Sequence, residues 1–405
     1  MTLTERLEGC RRFGMRPGLE AISAACRACG DPQKKFKAIH VAGTDGKGAV
    51  CAMVDTVLRA HGFRTGRYTS PHLLCVNERF FVDGKSAPDS LLDALAAPLA
   101  GDPSFDGLTY FELLTLVAYR LYAKEKVDFA VLETGLGGRL DATNVCDPAI
   151  TAITRIGLDH CDWLGDTVEK IAAEKAGIIK PGVPVVLGAN SPEARSVVEA
   201  RAREVGSGFV YAPDIASEND IPDGFPLKGN FNRENAVTAI AVLKTLHAAR
   251  SGDLKSVAVP LDFRPLRDVV WPGRFQRVRN FLVDGAHNPP AARALAQSLG
   301  DGKFDLVAGF CADKNVDEVL GILSPRILKA CAVRTNNPRS LGAEELAAKM
   351  RAAGMDARAA TLAEALDTER PTLVCGSLFL AGEALAALGA WPWRTRLDPA
   401  ETLRV

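Results

Sequence analysis

Residues 39–50 read IHVAGTDGKGAV, a short apolar run that leads into a glycine-rich turn and then into a predicted helix. In the turn, Gly43, Gly46 and Gly48 let backbone N–H groups approach an anion, and Lys47 can reach the outer phosphates of a nucleotide. A strand, such a turn and a helix in succession are typical of phosphate-binding loops in α/β proteins. On these residues alone, the alternative is a glycine-rich turn that binds nothing.

The strict P-loop pattern, G-x-x-x-x-G-K-[ST], fails at two positions of this segment. Val41 stands where the first glycine is expected, and Gly48 follows Lys47 where a magnesium-binding hydroxyl is expected. The segment therefore resembles a P-loop without matching its full pattern.

Length and charge limit the classes of protein that this chain can belong to. With 405 residues it exceeds what one hydrophobic core usually organises, so we expect two domains. The chain has 49 basic and 49 acidic residues and no long block of either sign, which argues against nucleic acid or an anionic membrane as its partner. The amino terminus has charges where a signal peptide needs an apolar core, and no apolar run is long enough to span a bilayer. We therefore expect a soluble, cytoplasmic protein.

The ten cysteines are scattered along the chain, from Cys10 to Cys375. Cys26 and Cys29 form the only close pair, and no second pair completes a zinc site. Their spacing of three places both on one face of a predicted helix, where we interpret them as buried cysteines rather than as a redox or metal site.

The fold class predicted from the pattern of apolar runs is α/β, with a mostly parallel sheet covered by helices. Strands are predicted at 37–41, 129–133, 150–156, 183–187, 281–284, 306–310 and 372–375. Helices are predicted at 48–60, 110–125, 168–179, 233–248, 290–300, 343–353 and 380–388. Residues 211–229 are polar and proline-rich, which indicates a loop or small irregular β structure. Pro260, Pro265 and Pro272 cluster before a new strand, so we place a boundary near residue 270, between domains of residues 1–268 and 269–405.

Two further segments place polar residues where predicted strands end. In TSPHL, Ser70, Pro71 and His72 follow a predicted strand, the usual place for ligands in α/β sheets, although a plain turn is equally consistent. In VLETGLGGRLDATNV, Glu133 ends a buried strand, and a carboxylate that faces a phosphate loop is a natural magnesium ligand. A purely structural turn would hardly need the four polar side chains that follow, which are Arg139, Asp141, Thr143 and Asn144.

A third and a fourth segment also carry candidate site residues. In the third, Asp159 and His160 are predicted to close a strand, and Thr167 begins a helix that carries Glu169, Glu174 and Lys175. Taken singly, His160 could be a core histidine, and Glu174 and Lys175 a solvated charge pair. In the fourth, a strand delivers four residues to a proline-started helix, namely Asp284, Gly285, His287 and Asn288. Arg274, just before this strand, could meet a phosphate.

The order of these motifs resembles that of the folylpolyglutamate synthase and dihydrofolate synthase family, a branch of the Mur ligases. The shared motifs, in order, are GTDGKG, TSPHL, TYFE, ETGLGGRLDATN, DH followed by WLG, EKAGIIKPG, WPGR, DGAHNP, ADKN and GSLFLAGE. They extend over almost the whole chain, from about residue 19 to residue 385. The resemblance implies a central Mur-ligase-type ATPase domain that binds ATP and folate, followed by a smaller Rossmann-like domain for glutamate ligation.

The activity that the resemblance implies is ATP-dependent amide ligation. In the family, the carboxylate of a folate-type substrate attacks the γ-phosphate of ATP, and the amino group of L-glutamate displaces phosphate from the resulting acyl phosphate. Closure of a cleft between two domains is expected to exclude water from this intermediate. The implied partners are ATP, L-glutamate and a folate or dihydropteroate, with Mg²⁺, and K⁺ as a further candidate, and the implied oligomeric state is a monomer.

Site residues carry over from the family by motif. The residues implied to bind ATP are Gly43, Thr44, Asp45, Gly46, Lys47, Gly48, Asn235, Arg274 and Asp284. Ser70, Glu133 and His160 match magnesium ligands, and Lys175 matches a lysine that family members carbamylate. Lys47, Lys175 and His287 are the implied catalytic residues. The residues implied to bind folate are Thr109, Phe111, Leu140, Asp141 and Ala142. Phe111 could stack on a flat heterocycle, although residues 110–122 could equally form a core helix.

The chain departs from the family pattern at several positions. Asp45 stands where asparagine is usual, which places a carboxylate beside a polyphosphate, and Ala49 stands where a hydroxyl is usual. Phe231 and Asn232 also replace usual residues, and the region from 187 to 229 is short. Three alternatives therefore stay open: a non-catalytic nucleotide-binding relative, a relative with altered specificity, and a ligase for another pterin-like or peptidoglycan-like acid.

Overall fold

The computed structural model describes residues 3, 5, 7, 18–249 and 261–393, and the expectations for Cys10, Pro260 and most of the amino terminus lie outside this range. The chain divides into two compact units. The first comprises Met1–Pro71, Val76–Phe225 and Arg233–Val269, and the second His72–Cys75, Pro226–Asn232 and Val270–Val405. The division of function between residues 1–268 and 269–405 stays a prediction.

An eight-stranded sheet forms the centre of the first unit. Its strands are β1 (Lys37–Ala42), β2 (Thr65–Tyr68), β3 (Phe80–Val82), β4 (Lys85–Ser86), β5 (Phe129–Glu133), β6 (Pro148–Ile153), β7 (Val185–Leu187) and β8 (Phe209–Tyr211). Their order across the sheet is β4-β3-β2-β5-β1-β6-β7-β8; the pairs β2–β3 and β3–β4 are antiparallel, and the other neighbouring strands are parallel. Because β1 lies between β5 and β6, the glycine-rich turn leaves the carboxyl end of an inner parallel strand, where α/β sheets usually bind ligands.

The helices of the first unit connect these strands. They are α1 (Glu20–Ala28), α2 (Lys47–Ala60), α3 (Asp89–Ala96), α4 (Tyr110–Glu125), α5 (Cys161–Leu164), α6 (Val168–Ala176), α7 (Pro192–Glu204), α8 (Ala212–Ile215) and α9 (Asn230–Ala248), which joins the first unit from Arg233 onward. A capping box of Thr109 and Glu112 begins α4, which is a core helix with both Tyr119 and Tyr122 fully buried. Thr167 caps α6 by accepting a hydrogen bond from the Lys170 N–H.

The second unit contains a six-stranded sheet of its own. Its strands are β9 (Gln276–Val278), β10 (Phe281–Val283), β11 (Phe304–Ala308), β12 (Ile327–Ala332), β13 (Ala357–Ala359) and β14 (Thr372–Cys375), in the order β13-β12-β11-β14-β10-β9. Only β9 is antiparallel to its neighbour. The helices are α10 (Pro289–Leu299), α11 (Val316–Leu323), α12 (Ala343–Ala352), α13 (Leu362–Leu366) and α14 (Leu378–Ala387).

The predicted α/β class with a mostly parallel sheet is confirmed, and strands β5 and β14 and helix α4 have the predicted bounds. The strand predicted at 150–156 is too long, because the chain leaves the sheet after Ile153. Asp159 and His160 therefore lie in a loop rather than at a strand end. Residues 211–229 are mostly loop, as predicted, and they contain two short helical turns, Ala212–Ile215 and Glu218–Asp220, rather than irregular β structure. Strand β12 and the short strands β3, β4, β8, β9 and β13 were not predicted from the sequence.

The cysteine pair is partly as predicted. Cys26 is buried in α1, and burial, with the neighbouring Cys29 thiol, raises its pKa to about 12. Cys29 is half-buried and lies just after α1, which ends at Ala28. The two cysteines therefore do not share the helix face that their spacing predicted. Neither cysteine is in a disulfide. A pKa this high keeps Cys26 a thiol at neutral pH, which agrees with a packing role.

In the described part of the chain, no helix is both long enough and apolar enough to cross a membrane.

The packing of Gly66 on β2 generates a test of the first unit's core. A Cβ at Gly66 would lie 2.5 Å from the ring of Tyr122 on α4, which is fully buried. We expect Gly66→Ala to lower the free energy of unfolding by about 1–3 kcal/mol, because the ring must move within a packed core. Thermal denaturation followed by circular dichroism measures this change. Gly107→Ala is the matched control, because no atom lies within 4 Å of its Cβ position. Equal midpoints for the two variants would contradict this packing.

Candidate active site

Two glycines of the glycine-rich turn lie so close to neighbouring side chains that neither position has room for a Cβ atom. Gly43 has a φ of +149°, and a Cβ there would lie 1.8 Å from Thr154 Oγ1. Gly46 has a φ of +86° and begins α2, and a Cβ there would lie 2.1 Å from Asn235 Oδ1. Both positions therefore require glycine, and the turn is enclosed by Thr154 on one side and by the predicted ATP ligand Asn235 on the other.

Backbone hydrogen bonds hold this turn to the segment that follows β6. The N–H groups of Thr44 and Asp45 donate to the carbonyl oxygen of Arg155 over 2.8 and 3.3 Å. Thr44 Oγ1 donates to the Gly157 carbonyl oxygen over 3.1 Å and accepts the Gly157 N–H over 3.0 Å. These bonds explain why β6 ends early, since residues 155–157 pair with the turn instead of continuing the sheet.

Two lysine side chains converge on the same part of the turn. Lys47 Nζ donates to the carbonyl oxygens of Gly43 and Thr44, each over 3.1 Å, at the N-terminus of α2. Lys175 Nζ donates to the Gly43 carbonyl oxygen over 2.8 Å, and Lys175 is only 3% exposed. The structure thus brings together two of the predicted catalytic residues.

The environment of Lys175 disfavours its charged form. Burial, with the Lys47 ammonium as the next cause, lowers the pKa of Lys175 to about 7. The carboxylates of Asp159, Asp45 and Asp141 act in the opposite direction. Since the pKa is lowered, the neutral amine predominates above pH 7, and a neutral amine is the form that can attack carbon dioxide. The alternative of a solvated pair of Glu174 and Lys175 is wrong, because Glu174 pairs with Arg139 at 2.8 Å instead.

Glu133 ends β5 directly beside the strand that carries the turn, where it pairs in register with Val41. Its side chain is buried, and Oε2 accepts the Ser70 N–H over 2.9 Å, so the structure joins two of the three predicted metal ligands. A carboxylate and a hydroxyl are hard oxygen donors, which suits Mg²⁺ shared with a nucleotide phosphate.

The third predicted metal ligand, His160, precedes the short helix α5 with a φ of +51°. Its side chain is 47% exposed, with Nε2 3.8 Å from Asp159 Oδ2, so it is not a core histidine. No group of three or more His, Cys, Asp and Glu side chains suited to a metal occurs among the residues that the structure describes. A metal here would therefore depend on Ser70 and on substrate oxygens as well, and the ligand role of His160 stays a prediction.

The loop after β5 is organised around Asp141. Its Oδ2 accepts the N–H groups of Gly135 and Leu136 over 2.8 and 2.9 Å. Its Oδ1 accepts the Thr143 N–H over 3.0 Å and the Thr143 hydroxyl over 2.5 Å. Burial raises the pKa of Asp141, and these hydrogen bonds oppose the rise. Asp141 thus determines the conformation of a loop that contains three predicted folate residues.

The other predicted folate residues differ in environment. Thr109 uses its hydroxyl within the capping box with Glu112, and Ala142 is buried. Phe111 is half-buried, and its ring lies against Gly135, where a Cβ would approach it to 2.6 Å. Leu140 is 36% exposed, which is unusual for a large apolar side chain. Contact of these residues with a folate stays a prediction.

In the second unit, a polar turn follows β10. The buried Asp284 accepts the Phe275 N–H over 2.7 Å and the Ala286 N–H over 2.8 Å. Burial raises its pKa, and the Arg274 guanidinium together with these N–H groups opposes the rise. His287 Nδ1 lies 2.8 Å from the Gly285 carbonyl oxygen. The structure therefore brings Arg274, Asp284 and His287 together around one turn, as the motif order predicted for the end of this strand.

Comparisons with known proteins now bear on this arrangement. The Mur ligase middle domain matches residues 41–204, and the Mur ligase glutamate ligase domain matches residues 273–377. A dihydrofolate synthase/folylpolyglutamate synthase of Bacillus subtilis is 35% identical over 324 residues, which cover 72% of this chain and 74% of the relative. The chain belongs to the folylpolyglutamate synthase and dihydrofolate synthase family.

Solved structures of this family have the same fold. Escherichia coli FolC in complex with DHPP and ADP has a TM-score of 0.81 at 30% identity, with 96% of this chain and 98% of that chain covered. A bifunctional folylpolyglutamate synthase/dihydrofolate synthase with Mn, AMPPNP and L-glutamate bound has a TM-score of 0.80 at 32% identity, with the same coverage. The family consists of ATP-dependent ligases.

Several departures of this family member now have a structural explanation. Ala49 is buried in α2. Phe231 packs edge-on against Phe275 in the second unit, with ring centroids 6.3 Å apart. The Asn232 amide donates to the Lys228 carbonyl oxygen over 2.7 Å. Asp45 differs from these three residues because it has an electrostatic effect at the site. Its carboxylate favours the charged form of Lys175.

Sequence reasoning missed Thr154 and His40 as parts of this site. Thr154 Oγ1 donates to the Asp45 carbonyl oxygen over 2.7 Å, and it lies next to Gly43. The sequence signal for Thr154 is a threonine directly after an apolar strand. Many strands are followed by a threonine, so this signal does not single out a site residue. His40 lies on β1 between apolar neighbours and carries no motif of its own.

The close approach of Asn235 to Gly46 predicts the effect of a methyl group there. We expect Gly46→Ala to weaken ADP binding by at least about tenfold, because the added Cβ displaces Asn235 and strains the turn. Isothermal titration calorimetry measures this affinity. Gly62→Ala is the matched control, because Gly62 has nearly the same φ of +85° with no atom within 4 Å of its Cβ position. Similar losses in both variants would refute a specific role of the turn.

Proposed function

We propose that this family member is an ATP- and magnesium-dependent ligase that adds L-glutamate to a folate-type carboxylate through an acyl phosphate. The observation that carries this proposal is the buried Lys175 amine on the carbonyl oxygen of the phosphate turn. A simple phosphate-binding turn needs no second buried lysine. An amine with a pKa near 7 at this position supports the carbamate that the family motif implies.

Nucleotide binding is assigned to the turn and the residues around it. We assign the phosphates to Thr44, Gly46 and Lys47, since the N-terminus of α2 adds partial positive charge there. Asn235 supports this assignment because it already lies against Gly46. Glu133 and Ser70 would hold Mg²⁺, which supplies positive charge to the transferred phosphoryl group.

The reaction proceeds in two steps with balanced atoms. A carboxylate oxygen of the folate attacks the γ-phosphorus of ATP, and the bond to the β,γ-bridging oxygen breaks to release ADP. The amino group of L-glutamate then attacks the carbonyl carbon, loses a proton and displaces inorganic phosphate. Positioning of the reacting groups supplies most of the rate enhancement, because the acyl phosphate is itself reactive.

Lys175 is assigned to a carbamate that forms when its neutral amine attacks carbon dioxide and loses a proton. An ammonium at this position would repel a magnesium ion, whereas a carbamate adds an anion that can orient it. The lowered pKa favours this modification above pH 7, and acid would reverse it.

The folate and the glutamate are assigned to different parts of the chain. Phe111, Leu140 and Ala142 would form the pterin pocket, with Thr109 and Asp141 holding the surrounding backbone. In the second unit, Arg274 is assigned to the transferred phosphate and Asp284 to ATP. His287 is assigned as the proton acceptor, since donation from Nδ1 to Gly285 leaves Nε2 as the basic nitrogen.

The oligomeric state, the location and the remaining partners of the protein are predictions from the sequence. A monomeric state, a cytoplasmic location, the absence of nucleic acid and membrane partners, and a K⁺ requirement stay predictions. A non-catalytic relative is the second candidate function, since Asp45 places an anion near the predicted phosphate site.

A substrate comparison tests the proposed activity. We expect phosphate release from ATP and Mg²⁺ only when L-glutamate is present together with dihydropteroate or tetrahydrofolate, because neither half of the reaction yields an amide alone. Coupled phosphate detection and incorporation of labelled glutamate measure the two products. The ratio of kcat/KM for the two acceptors assigns the enzyme to the synthase or the polyglutamylating type. Tight ADP binding with no turnover on either acceptor would favour the non-catalytic relative.

Lys175→Ala tests the role of the buried lysine. We expect a loss of ligation of at least about 100-fold with partial recovery in millimolar acetate or propionate, because a small carboxylate can replace the carbamate. Steady-state kinetics with and without the acid measures this effect. Lys170→Ala is the control, because Lys170 is on the same helix and forms only an exposed pair with Asp166. Full activity of Lys175→Ala without added acid would refute the carbamate.

A further inference from the structure

We propose that His40, Thr143 and Asp141 form a buried hydrogen-bond relay that positions the glycine-rich loop 135–138 for the folate substrate. His40 is then a positioning residue of the ligase and has no contact with the reacting atoms. The inference rests on the proposed function, because it names what holds the predicted folate loop in place.

The relay is continuous and lies within the first unit. His40 on β1 is fully buried, and its Nε2 lies 2.8 Å from Thr143 Oγ1. Thr143 Oγ1 in turn lies 2.5 Å from Asp141 Oδ1. The other carboxylate oxygen of Asp141 accepts the N–H groups of Gly135 and Leu136. A chain of hydrogen bonds therefore connects the strand that carries the phosphate turn with the loop after β5.

The contacts of Asp141 assign a direction to the hydrogen bonds of this relay. Three backbone N–H groups donate to Asp141, which is the pattern of a carboxylate that only accepts. The Thr143 hydroxyl must then donate its single proton to Asp141, and its lone pair accepts a proton from His40. Nε2 of His40 therefore carries the hydrogen, and Nδ1 does not.

The surroundings of His40 favour this neutral tautomer. Burial, with the nearby Lys180 ammonium as the second cause, lowers the pKa of His40 to about 3. Lys180 Nζ donates to the carbonyl oxygen of Asn144, the residue after Thr143. Nδ1 is buried and has no hydrogen-bond partner among the described residues. An unsatisfied buried nitrogen lowers stability, so an apolar side chain would suit a position that served packing alone. The single bond from Nε2 is thus the polar contact that this imidazole provides.

The loop that the relay holds also determines where Phe111 lies. Position 135 has no room for a side chain, because a Cβ there would lie 2.6 Å from the Phe111 ring. The Gly135 N–H is one of the groups fixed by Asp141. Thr143 itself is anchored to the core of the first unit, since the Tyr119 hydroxyl donates to its carbonyl oxygen over 2.8 Å. Loss of the His40 bond should therefore shift the loop at the predicted pterin pocket and leave the phosphate turn in place.

Two substitutions of His40 separate a positioning role from a packing role. The amide nitrogen of glutamine can replace Nε2 as donor, whereas that of asparagine reaches only the position of Nδ1. We expect His40→Asn to raise the KM for the folate acceptor about tenfold, the loss expected for one buried hydrogen bond, with kcat and the KM for ATP within about twofold. We expect His40→Gln to restore the KM for the acceptor to within about twofold of the original value.

Thr143 provides an independent pair of variants. Thr143→Val removes the hydroxyl at constant shape, and Thr143→Ser keeps it. We expect Thr143→Val to raise the KM for the acceptor as His40→Asn does. A double variant with both substitutions should have a KM for the acceptor no higher than that of either single variant, because both substitutions break the same relay. Thr245→Val is the control, because Thr245 is also buried but bonds to the Ala241 carbonyl oxygen of its own helix α9.

The possible outcomes distinguish this inference from the proposed function. An active enzyme in which His40→Asn and His40→Gln have the same KM for the acceptor would overturn the relay. Additive effects in the double variant, or an equal rise for Thr245→Val, would also overturn it. If the unaltered protein incorporates no glutamate, the proposed function fails. Nitrogen NMR of the histidines then tests the relay directly, with a neutral Nε2–H tautomer of His40 expected and an Nδ1–H tautomer or imidazolium contradicting it.

Discussion

The hydrogen bond from Lys175 Nζ to the Gly43 carbonyl oxygen, 2.8 Å long and buried, is the interaction on which the rest of the site depends. It holds helix α6 against the phosphate turn, while Thr154 occupies the space on the other side of Gly43. Burial also makes the ammonium form of Lys175 unfavourable, so its pKa falls to about 7. This contact therefore joins α6 to the turn at the place where burial makes the lysine amine reactive. Asp45, Asp159 and Asp141 limit how far the pKa falls.

The parallel sheet explains how distant segments reach this contact. Strands β2, β5, β1 and β6 are neighbours that run in the same direction, so their carboxyl ends meet at one edge of the sheet. Glu133 is the last residue of β5, and Ser70, the phosphate turn and Thr154 follow the ends of β2, β1 and β6. Each of these segments needs only to end its strand correctly, because the sheet then places the side chains together.

Part of this architecture follows from local sequence. Strand β5 is a continuous apolar run that ends at Glu133, and α4 begins with a capping box, so both have clear boundaries in the sequence. The predicted end of β6 was wrong. Residues 155–157 form hydrogen bonds with Thr44 and Asp45, which lie more than 100 residues earlier in the chain. The approach of Asn235 to Gly46 and the bond from His40 to Thr143 join similarly distant residues. Such contacts leave no local periodicity, so sequence alone could give the residues of the site but not its pairings.

Transfer of oxygen from substrate to phosphate tests the central claim most directly. A folate acceptor with ¹⁸O in its terminal carboxylate is incubated with ATP, Mg²⁺ and L-glutamate, and the released phosphate is examined by mass spectrometry. The acyl phosphate mechanism predicts one ¹⁸O atom in each phosphate, because the attacking carboxylate oxygen leaves with phosphorus when the amide forms. Phosphate without ¹⁸O, accompanied by amide product, would contradict it.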